Sequence, residues 1–120
     1  MSVTAKEFGW LLTQLVADSG EARDDAAQIA VDWESPMSYF QKRLIVRVLS
    51  LLATAEGPGP VRESQLNAIS NLFLPPFMTK ADVAPLFEIP ASTLNKGDAD
   101  YLDGVLEALA DFPEEATESG

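Results

Sequence analysis

An all-α fold is predicted by three features of the 120-residue chain. Apolar residues recur at helical spacing in successive segments, and capping signals stand at the starts of those segments. No run alternates apolar and polar residues for long enough to build a sheet. The expected architecture is a compact bundle of five or six helices around a central apolar helix at 44–55. It forms a single domain over residues 1–112, followed by a disordered acidic tail at 113–120.

Eight prolines, Pro36, Pro58, Pro60, Pro75, Pro76, Pro85, Pro90 and Pro113, punctuate the chain, because proline removes a backbone donor and clashes with the preceding helical turn. Before Pro36, Thr4 and Glu7 stand at capping-box spacing and open a helix whose face is Phe8, Leu11, Leu12, Leu15 and Val16. After Asp18-Ser19-Gly20 the acids Glu21, Asp24 and Asp25 suit the first turns of a second helix, where the helix dipole favours negative charge. Its apolar face reads Ala22, Ala26, Ile29, Ala30 and Trp33.

Ser38 and Gln41 form a second capping box, and from Leu44 to Ala55 nearly every position is apolar, as in a helix packed on several sides. Glu56-Gly57-Pro58 ends that helix, with Gly57 expected in the left-handed cap conformation. A fourth helix follows Pro60 with Val61, Leu66, Ile69, Leu72 and Phe73 as its apolar positions, and Pro75-Pro76 forces a turn. Thr79 and Asp82 signal a short fifth helix, limited by Pro85. The segment 88–96 reads as irregular. A last helix begins near Asp98 with Leu102, Val105, Leu106, Leu109 and Phe112 as its face.

Composition bounds function mainly by exclusion. An apolar fraction of 47% and a charged fraction of 22% are those of a globular protein. The absence of cysteine excludes disulfides, thiolate metal sites and cysteine nucleophiles. Neither a membrane span nor a secretory layout at the N-terminus is apparent, so a cytoplasmic protein is expected. A net charge of −11, from 19 acidic and 8 basic residues, argues against nucleic acid or an anionic membrane and favours a basic protein partner.

Without histidine or cysteine the common proton shuttle and the N and S metal ligands are missing, so no catalytic, cofactor or metal residues are assigned. A carboxylate-only hydrolase would need a deep cleft that a small helical domain rarely offers. Asp98, Asp100, Asp103 and Glu107 cluster, but an EF-hand starting at Asp98 would put Leu102, Asp103 and Leu109 where an oxygen ligand, glycine and glutamate belong. They read instead as acids at a helix N-terminus.

Two features remain as partner-binding candidates. Around Pro75-Pro76, the residues Phe73, Leu74, Phe77 and Met78 cannot all face one core. The basic cluster Lys42, Arg43 and Arg47 either pairs internally, with Asp32 or Glu34, or meets an acidic partner. Phe77→Ala and Met78→Ala are accordingly expected to weaken binding without unfolding the protein. Leu51→Ala, in a solidly packed central helix, is expected to cost about 2 to 5 kcal/mol.

The passage Leu51 to Phe73 resembles the central helix pair of TerB-like tellurite-resistance domains, which are small acidic helical bundles of bacteria. Its first aliphatic helix runs into Ala53-Thr54-Ala55-Glu56-Gly57, and Val61 and a second aliphatic helix follow. In that family an acidic residue and glycine close the first helix and another acidic residue opens the next, places held here by Glu56-Gly57 and Glu63. The Pro58-Gly59-Pro60 insertion and the lack of an aspartate before the glycine depart from the pattern, so no metal is assigned to Glu56 and Glu63. The resemblance implies a non-enzymatic bacterial helical module. The resulting expectation is an interaction or regulatory module, of adaptor, inhibitor or immunity type, that binds a protein partner or itself. A helical small-molecule or lipid-binding domain is the alternative.

Overall fold

The computed structural model describes residues 2–112, and the tail expected at 113–120 lies outside them. The described residues form helices with no strand: α1 (Ala5–Leu15), α2 (Gly20–Asp32), α3 (Tyr39–Ala55), α4 (Pro60–Leu72), the single turn α5 (Lys80–Val83) and α6 (Lys96–Asp111). Two 3-10 helices, Ala84–Glu88 and Ala91–Thr93, connect α5 to α6.

The helix starts follow from their caps. Thr4 and Glu7 close a reciprocal capping box on α1, with bonds of 2.9 and 3.1 Å, and Ser38 and Gln41 do the same on α3. Ser19 caps α2 by accepting the N–H of Ala22 at 3.3 Å. The last helix begins two residues before the expected Asp98. Asn95 is its N-cap, and Asp98 is the third residue of another capping box.

Helix α4 packs against α2, α3 and α6, while α3 packs against α1, α4, α5 and the first 3-10 helix. The buried apolar residues form one cluster built from Leu11 and Leu15 of α1, Ala26, Ala27 and Ala30 of α2, Ile45, Val46 and Leu49 of α3, and Leu66, Ile69 and Leu72 of α4. Helix α2 packs on α4 and buries the small side chains Ala26, Ala27 and Ala30, which permit a close approach.

Four expectations are corrected by this packing. Leu51 is 62% exposed, because a residue at that position of α3 points away from the Ile45-Leu49-Ala53 face. Gly57 lacks the left-handed cap conformation, and the positive φ in this segment is that of Gly59 (φ 148°, ψ −174°), an extended glycine conformation at the N-cap of α4, while Glu56 ends α3 in extended backbone. Leu106 and Phe112 are about half exposed, so α6 buries Leu102 and Val105 and leaves the flank of its apolar stripe outside. Val16, expected on the inner face of α1, is exposed as the C-cap residue beyond the last turn.

Polar residues also enter the interior. Arg62 and Asp98 are both buried and paired at 3.1 Å, and Arg62 donates further to Thr93, tying α4 to the loop before α6. Glu56 receives Arg23 through two bonds of 3.0 and 2.9 Å and Gln65 at 3.3 Å, while Arg23 also donates to the carbonyls of Ala17 and Asp18. One guanidinium thus joins the end of α1, the start of α2 and the end of α3.

Leu49 and Leu51 provide a direct check, being two positions apart on one helix with opposite surroundings. Leu49→Ala should cost about 2 to 5 kcal/mol in urea unfolding, and Leu51→Ala less than about 0.5 kcal/mol. Equal losses would contradict the orientation of α3.

Candidate interaction surface

Helix α3 has 17 residues, a rod about 25 Å long. With 3.6 residues per turn, Phe40, Leu44, Arg47 and Leu51 recur at i, i+4, i+7 and i+11 and share one face. That face is turned to solvent. Phe40 is 73% exposed, and Leu44 and Val48 are half-buried beside it. Phe40, Arg43, Leu44 and Arg47 line an open depression of about 190 Å³.

The flank of this stripe is built by α5. The Asp82 side chain is wholly buried and its Oδ1 accepts Nε of both Arg43, at 3.0 Å, and Arg47. Its Oδ2 accepts the Thr79 N–H at 2.8 Å, which starts α5 as the sequence signal predicts. Further along, Thr54 Oγ1 donates to the Pro85 carbonyl at 2.9 Å. Both arginine side chains remain about half exposed.

Burial pushes the Asp82 carboxyl up, but the Thr79 N–H and the two guanidinium groups outweigh it and hold it below the usual range. Glu56 is also held low, first by its bonds from Arg23, with burial opposing and Gln65 assisting.

The seven expected contact residues divide. Phe73 and Met78 are buried, so the Met78→Ala expectation is corrected: that change opens a cavity and tests stability. Leu74 is 38% and Phe77 56% exposed, and Phe77 stacks on Tyr39 with ring centroids 4.3 Å apart, at the N-terminal end of α3. The chain turns between them through a cis Pro75–Pro76 bond. Lys42 is buried along its stem, reaches Glu34 at 3.4 Å and lies 5.4 Å from the Tyr39 ring. Its pairing with Glu34 was expected, whereas Arg43 and Arg47 pair with Asp82 instead of Asp32 or Glu34.

Phe40, Leu44 and Leu51 form an outward-facing apolar row that sequence reasoning missed. The signal was present: from Leu44 to Ala55 there are more large apolar residues than one buried face accepts. The acidic residues of α6 form no ligand cluster, and among the described residues no three carboxylates gather as metal ligands. Among those residues no helix is long and apolar enough to cross a membrane. Elsewhere, at α1 and the end of α2, Trp10 and Trp33 pack on each other with centroids 6.1 Å apart.

Compared with protein-family models, curated proteins and solved structures, the chain has no significant match.

The Asp82 cluster predicts an acid limb in stability. A carboxyl with a folded pKa below its unfolded value of about 3.9 contributes stability that is present above about pH 4 and lost as pH falls through the folded value. The urea midpoint should therefore fall on acidification, and less steeply in Asp82→Asn. The same variant should be weaker at neutral pH by about 1 to 3 kcal/mol. An unchanged acid limb in the variant would contradict the assignment.

Proposed function

We propose that the protein is a non-catalytic protein–protein interaction module of the cytoplasm, and that its contact surface is the solvent face of α3 with the Tyr39–Phe77 pair at one end. One observation carries this reading: Phe40 and Leu51, 73% and 62% exposed, lie on one helix face with two arginines held between and beside them. Singly exposed apolar residues are ordinary, but Phe40 and Leu51 exposed on one face over three helical turns, with Arg47 and the half-buried Leu44 between them, form a recognition feature.

Magnitudes support a binding role. Full burial of a Phe or Leu side chain contributes roughly 1.5 to 3 kcal/mol, so leaving both outside forgoes stability that a partner can recover. Arginine and aromatic side chains are also those most often dominant in interface energetics. The Pro-Pro corner, read from sequence as the main surface, contributes through Leu74 and Phe77 alone, because Phe73 and Met78 are occupied in the core.

The experiment is a paired measurement on Phe40→Glu and Leu51→Glu. Both positions are exposed, so melting temperature should shift by no more than about 2 to 4 °C, while co-purification of a partner from native extract should be lost. Retained capture by both variants would move the contact surface elsewhere, and unfolding would return these residues to the core.

A further inference from the structure

We propose that the occupant of the α3 face is an amphipathic helix of another protein whose apolar stripe is flanked by carboxylates. This rests on the reading of α3 as the contact surface and specifies the chemistry of what binds there.

Shape is the first argument. The stripe from Phe40 to Leu51 runs about 16 Å along a straight helix, with the Asp82–Pro85 segment as a flank bonded to α3 through Arg43, Arg47 and Thr54. The depression between Phe40, Arg43, Leu44 and Arg47 has room for one aliphatic anchor, at about 190 Å³. A linear row with a single shallow hollow fits a second helix laid along it, with anchors at i, i+3 or i+4 and i+7.

Charge is the second argument, and it selects the partner. Two arginines against one buried carboxylate leave a net positive charge on this face, although the molecule as a whole carries −11. Each arginine spends its Nε on Asp82, which fixes the plane of the guanidinium, while its Nη groups bond no other described residue. These planar donors are set for carboxylate oxygens at little further ordering cost. Arg43 and Arg47 are one turn apart, so acidic residues spaced three or four apart on a facing helix meet both.

The same charges disfavour other occupants. A second copy placed symmetrically on this face would set the arginines of one chain near those of the other, between molecules each carrying −11.

A display library tests this. Short helical peptides with a fixed leucine stripe, and flanking positions randomised among Glu, Lys and Ser, are selected against the full chain. Glu-flanked peptides should be enriched and bind about tenfold more tightly than their Lys-flanked counterparts. That preference should shrink in Arg43→Gln and in Arg47→Gln, each of which keeps one arginine on Asp82 and is checked by its melting curve. Selection indifferent to flank charge or favouring Lys, yet still blocked by Phe40→Glu, overturns the acidic partner and leaves the α3 surface standing. Binding that survives Phe40→Glu overturns both, and failure to enrich any peptide overturns the acidic helix as occupant.

Discussion

A carboxylate with no access to water must find cations or lose its charge, and Asp82 meets that constraint by drawing Arg43 and Arg47 to one oxygen. Much of the molecule around α3 follows from it. Helix α5 is a single turn, too short to be stable alone, and it is held where Asp82 reaches both α3 and the Thr79 N–H. The Nε atoms of both arginines are engaged by Asp82 at the flank, although Arg47 stands on the same face as Phe40 and Leu51 and both arginines line the depression beside Phe40.

Helix α3 is apolar on two faces with different fates. Ile45, Leu49 and Ala53 enter the core against α4, whereas Phe40 and Leu51 stay in solvent. Nothing in the apolar character of these residues separates the two sets; the position of α5 and α4 around the helix does. This explains how much was legible in the sequence. The all-helical class, three capping boxes and the inner faces of α1 and α4 are local properties, written in residues three or four apart. Thr4, Ser38 and Thr79 announced their helices because a cap needs no tertiary partner.

What could not be read depends on contacts distant along the chain. Arg62 and Asp98 lie 36 residues apart, and Arg43 and Asp82 lie 39 apart, so their pairing is invisible to helical periodicity. The Leu44–Ala55 run shows an excess of apolar side chains but not its direction, so the sequence alone does not reveal that Leu51 faces outward. Phe73 and Met78 show the converse: a Pro-Pro corner suggested a shared exposed patch, but only Leu74 and Phe77 of the four face outward. Burial at such a corner depends on what packs beneath it.

The central claim is that the solvent face of α3 is where a partner sits. The most direct measurement replaces Phe40 or Trp10, one at a time, with a photo-reactive phenylalanine analogue in the full chain and irradiates it in native extract. Both positions are substantially exposed but lie on different helices, so each reports its own surface. A discrete cross-linked adduct from position 40, with none from position 10, is the predicted result. An adduct from position 10 and none from position 40 would contradict the account.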